Sequence, residues 1–244
     1  MEDLVLLLFL LLLPCLFLLT FRVRAGKTGT LRPLTGMKEL WVAVQRSAET
    51  GKALHVSVGV AGIGGIATSE TWAGLSVLAQ LAGEAAVADV PLLVTVADPT
   101  VLPLAQDIVR RAYARSGHPR PYDSVQVRLI APNPTAYAAG VMGILGRQPL
   151  SRNIMIGSFG DEYLLMGETG FRRGIHQVVG TADPRTLPFA YASADETLVG
   201  EEMFAGGAYT SRLPMQVGSL LTEDLVRWLV VGAIIGIAVV RFLS

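Results

Sequence analysis

Residues 54–99 read LHVSVGVAGIGGIATSETWAGLSVLAQLAGEAAVADVPLLVTVADP, and the fold turns on how this stretch is parsed. Leu54–Val60 is a short apolar run rich in valine and closed by a glycine loop, the pattern of a buried strand. The loop Gly62-Ile63-Gly64-Gly65 leads into a long helix from about Glu70 to Ala88, and Pro91–Ala97 is a second short apolar strand. Strand, helix and strand, with both strands nearly all apolar, point to parallel strands covered on both faces.

The alternation continues outward in both directions. Upstream, Met37–Thr50 is helical, with Leu40, Trp41, Val44 and Ala48 on one face and Gly51 as its stop. Downstream come a helix over Pro99–Ser116 ending at Gly117, a strand at Val125–Ala131, and a helix through Ala136–Leu145. A strand at Asn153–Gly157, a helix over Asp161–Arg172 and a strand at Ile175–Thr181 follow. A short helix at Leu187–Ser193 and a last strand at Thr197–Gly200 close the series. The expected fold is α/β: one doubly wound, mostly parallel sheet, a Rossmann-like three-layer domain over residues 25–220 that begins with a Gly/Thr/Pro linker at 25–34.

The flanks are of a different kind. Of 244 residues 51% are hydrophobic and 16% charged, well below the roughly 25% usual in soluble proteins, and mean hydropathy is +0.49. Leu4–Phe21 holds no charge and is long enough for a membrane helix, with Pro14 as a kink. A cleaved signal is the competing reading, opposed by the acidic start Met-Glu-Asp and by Pro14 just before Cys15. Leu225–Leu243 spans a bilayer if Arg227 and Arg241 snorkel and Trp228 anchors an interface; a re-entrant or amphipathic helix is the alternative. Gly232 and Gly236 have the spacing of a close helix pair, an expected oligomerisation contact. The ends, 1–24 and 221–244, are thus expected to anchor the domain in the lipid bilayer. Arg22, Arg24, Lys27 and Arg32 after the first span put the domain in the cytoplasm.

Composition narrows the chemistry. Twenty basic and twenty acidic residues cancel, which leaves no footprint for nucleic acid. Lysine occurs only at 27, 38 and 52, and the single Cys15 excludes an internal disulfide framework or a cysteine zinc site. His55, His118 and His176 lack zinc spacing, and no nucleophile elbow or phosphate-loop motif is present; Gly157-Ser158-Phe159-Gly160 reads as a strand-to-helix turn. No catalytic residue, metal ligand or cofactor is assigned.

Two constellations remain. Gly62-Ile-Gly64-Gly65-Ile-Ala67 fits a dinucleotide fingerprint, but the loop runs on through Thr68 and Ser69, and Asp98 lies about 30 residues beyond where about 20 is usual. A tight, well-packed crossover loop explains it better. Asp98, Asp161, Asp183, Glu201 and Glu202 each follow a predicted strand, at the sheet edge where open α/β folds take ligands. They suit a divalent cation or acid/base work, or simple helix capping for the three aspartates. Ala97-Asp98-Pro99 recurs as Ala182-Asp183-Pro184, 85 residues on. Either a βαβα unit is duplicated, or Asp-Pro is how this fold starts helices; capping chemistry accounts for the match. Arg172-Arg173 reads as a solvated helix end.

Ser69–Tyr113, Ala136–Gly140, Gly157–Asp161, Gly180–Pro184 and Gly200–Tyr209 together resemble an uncharacterised family of bacterial membrane-anchored proteins, a domain of unknown function. The resemblance implies a tethered α/β domain in the bacterial cell membrane and no assigned activity. The expected function is therefore a structural scaffold that self-associates into a homo-oligomer, since tethering raises local concentration. The alternative is a protein binding a nucleotide, metal or other small ligand through Gly62, Gly64, Gly65, Asp98 and Asp183.

Overall fold

The computed structural model describes residues 13–14, 16–25, 35–117, 122–205, 221–222, 225–232, 234–235 and 241. The chain divides into two units, residues 1–32 with 207–244, and residues 33–206. In the first, residues 16–24 and 225–232 are helical, and Phe17, Leu18, Phe21, Trp228, Leu229 and Ile234 are exposed. Among the described residues no helix is long and apolar enough to cross a membrane. Much of Leu4–Phe21 and of Leu225–Leu243, with Gly236, lies outside the described residues.

The second unit is a six-stranded parallel sheet. Its elements run α1 (Thr35–Thr50), β1 (Ala53–Gly59), α2 (Thr68–Val87), β2 (Leu92–Val96), α3 (Leu102–Ser116), β3 (Val127–Leu129) and α4 (Pro134–Arg147). Then come β4 (Leu150–Ser158), α5 (Tyr163–Arg172), β5 (His176–Thr181), α6 (Leu187–Ser193), β6 (Glu196–Val199) and α7 (Glu201–Phe204). Spatial order is β3-β2-β1-β4-β5-β6, every pair parallel. This is the doubly wound order of dinucleotide-binding folds, whose direction reverses between β1 and β4. Burial on both faces fits a parallel sheet: each residue of β2 is buried, as is all of β1 except Ala53.

Local chemistry places the helix ends. Asn133 caps α4 by accepting from the Ala136 N–H at 3.0 Å with Pro134 behind it, and Gly51 and Gly117 take positive φ after α1 and α3. The helix caps expected at Asp98, Asp161 and Asp183 are not formed: the N-caps of α3, α5 and α6 are Val101, Glu162 and Thr186, none with a side-chain capping bond. Asp98 and Asp183 each close a turn just upstream instead. Oδ1 of Asp98 accepts from the Thr100 N–H at 2.8 Å, and that of Asp183 from the Arg185 N–H at 2.9 Å.

The helices form two layers. α2 and α3, which link β1 to β2 and β2 to β3, share one face with α1; Gly36 of α1 lies against Leu198, and Gly74 of α2 against the Ile156 carbonyl. α4, α5 and α6 cover the other. The first face packs Leu54, Val56, Val58, Val94, Val96, Ile154 and Ile156, all nearly inaccessible.

The second face carries a polar row inside an apolar core of Tyr137, Val141, Met155, Phe159, Tyr163 and Met166. His55, Ser57, Thr95, Asn153 and Gln177 are fully buried on four adjacent strands. His55 Nδ1–H donates to Asn153 Oδ1 at 2.6 Å, and Asn153 Nδ2 donates to Gln177 Oε1 at 2.7 Å. Gln177 Nε2 ends the row on the Gly167 and Ser193 carbonyls, both at 2.8 Å. On the other side Thr95 bonds His55 Nε2 at 3.0 Å, and Tyr137 bridges Thr95 (2.8 Å) and Ser57 (2.6 Å). Every group has a partner, as burial demands. The row also excludes a register slip, which would strand these groups against hydrocarbon.

Burial pushes the His55 imidazole down to about 4, against a partly offsetting bond from Asn153. The folded state therefore stays neutral where the unfolded chain takes a proton. Stability from this site is complete above about pH 6.5 and falls as pH drops toward 4, by about 3 kcal/mol. Ring nitrogen resonances of His55 should show a neutral Nδ1–H tautomer down to pH 5.5. Titration near 6.5 contradicts the row.

Candidate site at the reversal of strand order

Between β1 and β4 the flanking connections leave in opposite directions, and the carboxyl ends of these strands are where open α/β sheets take ligands. Glycine makes the seam tight. A Cβ on Gly59, at φ +92, would sit 2.5–2.7 Å from the Ser158 backbone, and one on Gly157 would strike the Val58 carbonyl. The Val60 N–H donates to the Ser158 carbonyl at 2.9 Å.

The β1–α2 loop forms one wall. The Ile63 N–H donates to Thr100 Oγ1 at 3.0 Å, and that hydroxyl donates to Asp98 Oδ1 at 2.5 Å. A Cβ on Gly62 would lie 2.5–2.7 Å from the Asp98 carboxyl, so glycine at 62 admits the carboxylate against the loop backbone. The Gly64 N–H donates to Thr68 Oγ1 at 2.9 Å, and that hydroxyl donates to the Gly65 carbonyl at 2.6 Å. Thr71 on α2 donates to the Ala61 carbonyl at 3.2 Å. Gly64, at φ +103, and Gly65 face open space.

Gly62 and Asp98 are thus brought together, as a dinucleotide site requires, despite the long interval between them. The phosphate cradle is not: two of the loop's amides are taken up by Thr100 and Thr68, and eight residues separate Gly59, the end of the strand, from the helix start at Thr68. The loop is a latched structure joining β1 to the turn after β2.

Across the seam stands Glu70, in the first turn of α2. Its Oε2 is buried without a hydrogen-bond partner. Burial raises its pKa, a hydrogen bond from the Ser158 hydroxyl to the carboxyl works the other way, and the charge of Asp183 raises it further. Asp183 comes from the turn after β5. The Arg185 side chain bonds it at 2.7 and 3.2 Å and, together with the Arg185 amide, holds its carboxyl below the usual range. Thr186 pins the other wall, donating to the Phe159 carbonyl at 2.8 Å. Ile66 in the loop is fully exposed and Trp72 on α2 is half-exposed.

Glu70 and Ser158 are the functional candidates sequence reasoning missed. Glu70 reads as an ordinary acidic first-turn residue; its place directly after a glycine loop is the signal that singles it out. Glu201 and Glu202 occupy the first turn of α7, as their charge favours. His55 belongs to the buried row, His118 lies outside the described residues, and Arg172 pairs with Glu168 at 2.5 Å on the surface. Among the described residues no three His, Cys, Asp or Glu side chains gather as metal ligands.

The chemistry on offer is that of acceptors: carboxylates and carbonyls rather than amides. It suits hydroxyl or amine donors and repels phosphate. A carboxyl whose folded pKa is raised removes stability as pH rises above its unfolded value. Glu70→Gln should therefore raise the thermal midpoint at pH 7, with the gain shrinking toward pH 4. An unchanged or lower midpoint at pH 7 shows that Glu70 has a partner after all.

No curated protein and no solved structure matches the chain. A family model, Domain of unknown function (DUF6754), matches residues 1–244, and the chain belongs to that family.

Proposed function

We propose that this chain is a membrane-held ligand-binding module whose site is the seam between β1 and β4. The observation that carries the reading is the buried, partnerless Oε2 of Glu70 beside Ser158 and Asp183. An orphaned carboxylate oxygen costs stability, and a site that keeps one gains when a donor arrives. Asp98, latched against Gly62, offers a second carboxylate at the ribose-binding place of a doubly wound sheet. The ligand class is a small molecule presenting hydroxyl or amine donors; a nucleoside fits, and a phosphate adds nothing. The chain's apolar ends supply the tether to lipid, with the domain on the cytoplasmic side.

Adenosine and spermidine are the probes, titrated against the full chain in detergent. At tenfold its Kd a ligand stabilises by about 1.4 kcal/mol, a midpoint rise of about 3–5 °C. The rise should vanish in Glu70→Gln, and adenosine diphosphate should bind no better than adenosine. No rise with either probe, or an equal rise in the variant, overturns the reading.

A second reading, self-association into a homo-oligomeric scaffold, is favoured by exposed Leu164 and Phe171 on α5 and Tyr191 on α6. It requires a particle mass of several protomers that falls when Phe171 and Tyr191 are made charged. A monomer in mild detergent excludes it.

A further inference from the structure

We propose that His176 is a proton-dependent clasp that fastens α1 to the amino edge of the sheet. The inference is independent of the ligand reading and concerns the opposite edge of the domain.

His176 opens β5, and Arg152 stands opposite it in register on β4. The imidazole lies between two carboxylates from different elements. Its Nε2 is 3.9 Å from Glu39 Oε2 on α1, and its Nδ1 is 3.8 Å from Asp195 Oδ2 in the turn before β6. Neither distance is a hydrogen bond. Two nitrogens here, His176 Nδ1 and Arg152 Nε, are buried without partners. Asp195 Oδ2 is held in place by the Gln177 N–H at 2.7 Å. Glu39 and Asp195 act favourably on the Arg152 guanidinium, while Arg46, farther along α1, opposes it. Arg46 itself is engaged by Glu49 at 3.1 Å.

The charges decide what protonation does. With a neutral imidazole the quartet of Glu39, Asp195, Arg152 and His176 carries one net negative charge, and the ring has one proton for two carboxylates. Protonation balances the quartet and makes both ring nitrogens donors, each already aimed at a carboxylate. The gaps of 3.8 and 3.9 Å then close into ion pairs that tie α1 to β5 and to the start of β6. Histidine is the side chain that changes charge between about pH 5 and 8. α1 is also the element next in the chain to residues 26–34, the stretch that leads from the N-terminal apolar segment, so the clasp sets how firmly the domain's first helix is held.

Hydrogen exchange of the full chain in detergent tests this. Peptides over Thr35–Thr50 are followed at pH 8 and pH 5.5, with rates corrected for intrinsic exchange. Protection of α1 should rise roughly three- to tenfold at pH 5.5, the scale of partly exposed ion pairs. His176→Gln and Glu39→Gln should each remove the rise while leaving protection at pH 8 within about twofold of the parent, a limit set by the same pair strength. His176→Arg, permanently charged, should show high protection at both values. Titration of His55 is common to all four proteins and lowers protection at pH 5.5 in each, so the rise is read as the parent's pH 5.5 to pH 8 ratio relative to that of His176→Gln. A parent ratio no greater than that of His176→Gln, or a Glu39→Gln protein that keeps the parent's ratio, overturns the clasp.

Discussion

β1 and β4 lie side by side at the centre of the sheet, and at their carboxyl ends the two backbones close to a separation that only glycine allows. Gly59 and Gly157 face each other there, and Gly74 lets α2 settle onto the Ile156 carbonyl behind them. Because successive parallel strands connect through right-handed crossovers, the half β1-β2-β3 builds its helices on one face and β4-β5-β6 on the other. The switch point follows from that reversal. So does the equivalence of the Asp-Pro turns: one follows β2 and the other β5, the same station in each half, and each aspartate accepts from the N–H two residues on. Asp-Pro is here a turn device shared by two halves, rather than a way of starting helices.

Holding six parallel strands in one register takes more than apolar area, since valine packs nearly as well one step along. The row from Ser57 to Gln177 supplies the missing specificity. It gives every side chain in it a hydrogen-bond partner and crosses β2, β1, β4 and β5 inside an apolar layer. Rigidity along this row contrasts with the seam above it, where Glu70 keeps a buried oxygen without a donor. An unpartnered oxygen at a switch point of the sheet is a local rule broken where a structure would serve a ligand.

Much of the architecture was legible because strand periodicity and turn chemistry agree along the chain. The helix at Leu187–Ser193 has the residues expected, and the strand read at Leu54–Val60 is shifted by one. Errors fall where a turn mimics a helix start: Pro99 and Asp161 were read as helical, but α3 and α5 begin at Leu102 and Tyr163. Likewise Val125 belongs to a 3-10 turn capped by Asp123, not to the third strand. Strand order could not be read, because it depends on which faces the crossovers choose. Glu70 was invisible for a related reason: its meaning comes from Ser158 and Asp183, 88 and 113 residues away along the chain. His55, Asn153 and Gln177 look like scattered polar residues until registry sets them abreast.

We propose that the seam between β1 and β4 holds a small donor-rich molecule through Glu70. Native mass spectrometry of the full chain, extracted gently from the membranes of expressing cells, tests it most directly. A discrete small-molecule mass on the parent protein, absent from Glu70→Gln prepared alongside it, is the result the account requires. Parent and variant carrying the same mass, or both bare, would contradict it.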